Sequence, residues 1–187
     1  MIPIRNRKKS LQVTVDEMRN FAFTYVEKYA PSKQQLKTYL LKKYLKTSKT
    51  RVKKKDISNL IDIVLNDLEK NKFINDKFYS ESKAKSMIQR GNSINKIRNY
   101  LIGKGIHDEF IKDTVNKIQD QNSDQDFFSA IKVCKKKRIG PARTEDNRPL
   151  FYKKDISLLA RNGFDFETSK KVMELLKDDY LKIIKLI

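Results

Sequence analysis

"GKGIHDEFIKDTVNKI" (103–118) and "RNGFDFETSKKVMELL" (161–176) carry the same punctuation 58 positions apart: Gly, an apolar residue, then an acid-rich turn before a stretch with helical spacing. With that offset Leu101 matches Leu159, Gly105 matches Gly163, Ile106 matches Phe164, Val115 matches Met173 and Ile118 matches Leu176. A third, earlier copy fits with an offset of 61 up to Leu45, which falls on Ile106, and rejoins after an insertion at Leu60, Leu65 and Leu68. Self-similarity at a fixed period marks stacked units that share a core with their neighbours. Gly after a helix takes the left-handed conformation without a Cβ clash, and acids suit the positive start of the next helix.

Working outward, the chain reads helix-helix-helix three times. Pro31-Ser32 breaks the first cycle, with Ser32 as N-cap of a helix bearing Leu36, Leu40, Leu41, Tyr44 and Leu45. The basic loop "KTSKTRVKKK" leads to a helix with Ile57, Leu60, Ile61, Val64, Leu65 and Leu68. In the second cycle Asn75 or Asp76 caps a helix with Tyr79, Ala84, Met87 and Ile88 that ends at Gly91; Ser93 caps the next, and "HDEFIKDTVNKI" is the third. The third opens with "DQDFFSAIKVCKKKRIGP", stops at Gly140-Pro141, and continues through "LFYKKDISLLARNGF" to one last helix, "DFETSKKVMELLKDDYLKIIKLI". The expected fold is all-α, an elongated tandem array of three three-helix repeats: a basic tail over 1–15, then repeats over 16–75, 76–121 and 122–187.

Composition agrees. Five Gly and four Pro are few for an all-β chain, which needs a turn about every 8 to 12 residues. The formal charge of +19 attracts polyanions and repels copies of the same chain, so a monomer is expected. Lys supplies 32 of the 42 basic residues, which reads equally as the codon usage of an AT-rich genome or as selected polyanion affinity. Cys134 is the single cysteine, so no internal disulfide forms, and a reducing cytoplasm is the expected location. No apolar run approaches the ~18 residues of a membrane span, and no membrane partner is expected.

Catalytic chemistry finds no support. "DQNSDQDFFSAI" starts like an EF-hand loop with Asp120, Asn122 and Asp124, but Gln125 stands where Gly is needed and Ile131 where a bidentate Glu is needed. It reads as a polar linker and helix cap. His107 is the only histidine and reads as a helix-start residue beside Asp108. Cys134, although flanked by lysines, reads as a core residue rather than a nucleophile. Neither a Walker loop nor a dinucleotide fingerprint occurs. No catalytic residue, metal ligand or cofactor is expected, and the chain is expected not to be an enzyme.

The positive features are basic clusters: Lys42, Lys43 and Lys46 with the 49–55 run; Arg90, Lys96, Arg98 and Lys104, with Lys83 nearby; and Lys135, Lys136, Lys137 and Arg138 with Arg143. Clustered Lys and Arg give phosphate affinity that falls steeply with salt, and they also steer towards acidic protein surfaces.

Taken in order along roughly 18–177, the chain resembles the RecX family of recombination regulators. The match is clearest in "NKFINDKFYSESKAKSMIQRGNSINKIRNYLIGKGI", through Asp76, Tyr79, Lys83, Arg90, Gly91, Ile97, Leu101, Lys104, Gly105 and Ile106. "KKKRIGPAR" and "KKDISLLARNGFD" are similar to the alphaproteobacterial branch, and "YVEKYAPSKQQL" extends the likeness to the first repeat. The chain departs near Phe73-Ile74, where "NKFIND" replaces the family's Gly-apolar-Leu-Asp-Asp turn, and Tyr44 stands where a first-repeat counterpart of Gly105 would be. The resemblance implies a small cytoplasmic, non-catalytic protein that binds the RecA recombinase on single-stranded DNA and suppresses its ATPase and strand exchange. Lys83, Arg90, Lys96, Arg98, Lys104, Lys135, Lys136, Lys137, Arg138 and Arg143 are the expected RecA and DNA contacts. The alternative is a general nucleic-acid-binding helical module that acts by competing for DNA.

Overall fold

A computed structural model describes residues 11–47 and 53–187, with the backbone alone at Thr47. The expected "RNRKK" tail and most of the basic loop after Thr47 lie outside the described residues. The described chain is all helix: α1 (Val15–Tyr29), α2 (Lys33–Thr47), α3 (Lys54–Lys70), α4 (Asp76–Gln89), α5 (Ile94–Gly103), α6 (Asp108–Gln121), α7 (Gln125–Lys137), a 3-10 turn (Gly140–Ala142), α8 (Asn147–Arg161), α9 (Phe166–Met173) and α10 (Lys177–Ile184). They form two compact units, one ending at Tyr79 and one running from Ser80 to Ile187.

In the first unit the apolar spacing of α1, α2 and α3 converges on Met18, Ala22, Leu36, Leu40, Tyr44, Ile57, Ile61, Val64, Leu65 and Leu68. Leu45, expected on the same face, is exposed. Leu11 and Val13 also pack on this core, so part of the stretch expected as tail belongs to the first unit's packing. Its Leu-x-Val-x-Val alternation supplies the apolar side chains. Thr14 and Ser32 cap α1 and α2: Thr14 Oγ1 accepts from Glu17 N–H at 3.3 Å and Ser32 Oγ from Gln35 N–H at 3.2 Å. Gln35 Oε1 in turn accepts from Ser32 N–H at 3.1 Å, completing a reciprocal box.

The departure at "NKFIND" has a local cost. Lys72 sits at φ 62, a left-handed conformation that costs an L-residue about 1–2 kcal/mol. The acid that the departure keeps is the one with a structural task. Asp76 is buried, and its Oδ1 accepts from Lys33 N–H at 2.8 Å, satisfying the start of α2. Asn75 caps α4 through Phe78 N–H at 2.9 Å, which resolves the two candidates for that cap.

The second unit repeats the device: Asp126, in the first turn of α7, accepts from Ile94 N–H at the start of α5 at 2.8 Å. Gly105 and Gly163 both take positive φ, 70° and 87°. At each corner the same pair of bonds closes the preceding helix: Gly105 N–H to Ile102 O and Ile106 N–H to Leu101 O, then Gly163 N–H to Ala160 O and Phe164 N–H to Leu159 O. Leu101, Leu159, Ile106, Phe164, Val115 and Met173 are all buried, as the 58-residue match requires. The last matched pair parts company, because Ile118 is buried and Leu176 is 70% exposed.

Leu176 is exposed because the expected long last helix is two helices. Helix α9 ends at Met173, and α10 begins at Lys177 with Leu176 in extended backbone. Neither Gly nor Pro marks the break. Arg148, from the first turn of α8, donates through Nη2 to Met173 O at 2.6 Å and Leu175 O at 2.7 Å. Lys177 Nζ donates to Pro141 O at 3.2 Å. These side chains satisfy carbonyls and tie the break to the 3-10 turn, allowing Tyr180 to join the third-repeat core of Ala130, Ile131, Cys134, Leu159, Phe164 and Met173.

Candidate polyanion-binding surface

All ten residues expected to make contacts belong to the second unit, and the structure sorts them into different environments. Lys135, Lys136, Lys137 and Arg138 occupy the last turn and C-cap of α7, and all four are exposed. Positive charge here complements the negative end of the helix dipole, so the run can form without an acidic partner. Arg90 ends α4 beside Gly91, whose backbone is close to α7: a Cβ there would lie 3.0 Å from Lys132 Cβ and 3.1 Å from Ser129 O. Lys135 and Lys136 follow Lys132 by one turn on the same helix. The Gly91 backbone therefore abuts α7 at Lys132, one turn before Lys135 and Lys136, a cation that sequence reading did not single out.

Lys96 and Arg98 lie on α5 and are exposed. The α8–α9 corner docks at this helix's start, where Ser93 Oγ donates to Asn162 O at 2.8 Å and accepts from Lys96 N–H at 3.1 Å. Lys96 Nζ reaches Asn162 Oδ1 at 3.1 Å, so its ammonium is held at the corner. Lys104 caps the other end of α5, with Nζ 5.2 Å from the Tyr100 ring centre. Lys83 is half-buried on α4. The ten residues are thus not one patch.

Arg143 has a different task. Its Nε donates to Asp155 Oδ2 at 2.7 Å and its Nη2 to Asp155 Oδ1 at 3.0 Å, a two-pronged pair. Asp155 is 1% exposed and also accepts from Gly140 N–H at 2.9 Å. Burial alone would raise the Asp155 carboxyl; the Arg143 bonds and the Gly140 N–H outweigh it and hold the group below the usual carboxylate range. The same bond raises the Arg143 guanidinium above its ordinary value. "KKKRIGPAR" therefore holds two kinds of cation: Lys135 to Arg138 face water, and Arg143 fastens the chain after α7 onto α8. Asp155 had a sequence signal, because it falls at an apolar position in the Tyr152, Asp155, Ile156, Leu159 stripe, where a lone carboxylate requires a partner.

The residues weighed for chemistry fall into structural positions. Cys134 is buried, and burial, with Asp155 nearby, pushes its thiol up to about 12. His107 stands exposed at the start of α6. Asp120 lies in the last turn of α6, whereas Asn122 Oδ1 accepts from Asp124 N–H at 3.0 Å, so this stretch is a helix link. Among the described residues no group of His, Cys, Asp and Glu is placed to hold a metal ion, and no helix is long and apolar enough to cross a membrane.

Known proteins resemble the chain in sequence and in fold. Over 176 residues it is 31% identical to the regulatory protein RecX of Myxococcus xanthus (strain DK1622), covering 91% of each chain. The chain belongs to the RecX family. No family model matches it. A crystal structure of a regulatory protein RecX superposes with a TM-score of 0.62 at 18% identity, covering 86% of this chain and 74% of that one, and shares the fold.

Proposed function

We propose that this RecX-family chain is a non-enzymatic, cytoplasmic regulator that binds the RecA–single-stranded DNA filament as a monomer and mainly inhibits its ATPase and recombination activity. The observation that carries the reading is the run Lys135, Lys136, Lys137 and Arg138, exposed together at the end of α7. A filament offers phosphates and acidic protein side by side, and such a run attracts both. Arg98, Lys96, Lys104 and Lys83 extend the charged surface, while Arg143 supports it from beneath through Asp155. The proposed divisions are repeats over 16–75, 76–121 and 122–187. Two inter-repeat caps support them: Asp76 at the start of α2 and Asp126 at the start of α5.

A second reading, a general nucleic-acid-binding module acting by competition for DNA, is favoured by the charge of +19 itself. One titration separates the two. Against bare single-stranded DNA and RecA-coated DNA at two salt concentrations, the filament reading predicts strong binding to the coated DNA and weak binding to the bare strand. It also predicts that DNA-stimulated ATP hydrolysis falls at well below stoichiometric protein; unchanged hydrolysis at equimolar protein would sink it. Competition predicts tight binding to bare DNA and an inhibition that disappears with excess DNA.

A further inference from the structure

The first unit carries a second surface that the contacts above do not use. On the α1–α2 side, aromatic rings form a row. Tyr39 of α2 stacks on Tyr25 of α1 with ring centres 4.0 Å apart and planes at 16°. Tyr25 meets Tyr29 at 4.7 Å, and Lys43 Nζ lies 3.7 Å from the Phe21 ring centre and 5.7 Å from that of Tyr39. Tyr25 and Tyr39 are partly covered because they also pack α1 on α2. Tyr29, the ring at the end of the row, is 55% exposed, and helix packing alone gives no reason for it.

The charge beside Tyr29 and along α2 is positive; the acid on the row's own stripe is Glu17, one turn before Phe21 at the far end from Tyr29 and half-buried near Tyr44. Helix α2 contains Lys33, Lys37, Lys42, Lys43 and Lys46 and no acid. Lys33 and Lys37 turn towards α3, where they pair with Glu69 and Asp62 at 2.6 Å each. Lys42 and Lys46 are exposed, and neither is in an ion pair among the described residues. Lys28 Nζ lies 5.3 Å from the Tyr29 ring centre. Glu27, the nearest acid along α1, is two positions from both Tyr25 and Tyr29 and so does not share their face.

We propose that the α1–α2 face binds single-stranded nucleic acid, with a base stacking on Tyr29 and phosphates held by Lys28, Lys42 and Lys46. A π-face at the end of a ring row accepts any base, and ammonium groups beside it (Lys28) and towards the other end of the row (Lys42 and Lys46) track the backbone without reading sequence. A duplex, whose bases already stack on one another, gains nothing from Tyr29. This surface is independent of the filament reading, which rests on cations of the second unit.

The test is anisotropy of fluorescein-labelled dT20 with the full chain, using the native protein and the Tyr29→Ala and Tyr29→Trp variants, with U20 and a 20-base-pair duplex as further probes. Stacking by one base predicts that Tyr29→Ala weakens dT20 binding about tenfold and Tyr29→Trp keeps it. It also predicts that dT20 quenches the new indole emission, which is readable because the native chain has no Trp. Equal behaviour of U20 assigns the surface to single strands of either sugar, and loss with dT20 alone assigns it to DNA. Duplex binding is expected to be indifferent to Tyr29. The proposal is overturned if the native chain does not bind dT20 or U20, if Tyr29→Ala binds both as the native chain does, or if Tyr29→Trp is as weak as Tyr29→Ala. Inhibition of RecA hydrolysis, measured on the same proteins, reports on the second unit, so either reading can fail alone.

Discussion

The two units differ in how deeply a carboxylate is engaged, although each also keeps lysines on its surface. In the first, three acids of α3 face neighbouring helices across partly exposed pairs: Asp67 with Arg19 at 3.0 Å, Glu69 with Lys33 and Asp62 with Lys37 at 2.6 Å each. Such pairs contribute about 0–1 kcal/mol apiece. In the second, one carboxylate, Asp155, is fully buried and forked by Arg143, while Lys135, Lys136, Lys137 and Arg138 face water. The contrast shows that a charge of +19 is not a single property. Some cations fasten helices, and others remain exposed on the surface.

The sharpest way to break this contrast is Asp155→Ala. It leaves Arg143 and Gly140 N–H without their acceptor and is expected to cost about 3–5 kcal/mol in urea unfolding of the chain. Asp62→Ala in the first unit is expected to cost under about 1 kcal/mol. Equal losses would mean that Asp155 is not the internal fastener described.

The next effect concerns the glycine corner. At Gly163, φ is 87° and an added Cβ would lie 2.5 Å from Ser93 Oγ, so Gly163→Ala is expected to cost about 1–3 kcal/mol. Gly103, inside α5 with nothing within 4 Å of an added Cβ, should respond in the other direction: Gly103→Ala is expected to stabilise by about 0.5–1 kcal/mol. Lys72→Gly should likewise stabilise, by about 1 kcal/mol, because it removes the left-handed lysine. Thermal melts of the three variants check the signs.

Two carboxylates of the second unit should show opposite pH dependence. The Asp155 carboxyl is lowered on folding, so its contribution is present above the unfolded value of about 3.9 and is lost as pH falls through the folded value. Asp126 is raised, first by burial and then by Asp165, against the bond from Ile94. Its contribution is present below about pH 3.9 and is lost as pH rises through the folded value. Asp126→Asn keeps a carbonyl acceptor for Ile94 N–H and is expected to flatten stability against pH above about 4, whereas the native chain declines there. A variant with an unchanged slope contradicts the assignment.

Much of this architecture was legible in the chain. The paired Gly-apolar-acid corners, the caps at Ser32 and Ser93, and the buried stripes of α3 and α6 follow from local spacing, because short-range backbone geometry decides them. What was not legible depends on long-range partners. The α9–α10 break has no Gly or Pro and is secured by Arg148 and Lys177 from elsewhere in the chain. Asp126 read as part of a linker, yet its acceptor role is set by α5, 32 residues away. For the contact surface, spacing located the cations without showing which were engaged. Arg143 and Lys136 look alike in "KKKRIGPAR", and only the fold brings Asp155 to one of them.

The Gly-apolar-acid corners are scaffold, and the proposed function rests on the exposed end of α7. The direct measurement is DNA-stimulated ATP hydrolysis by RecA, titrated with the native chain and with a variant carrying Lys135→Ala, Lys136→Ala, Lys137→Ala and Arg138→Ala. The native chain is expected to suppress hydrolysis well below equimolar amounts, and the variant, with an unchanged helical spectrum, is expected to need at least about tenfold more. Equal suppression by both proteins would contradict the account.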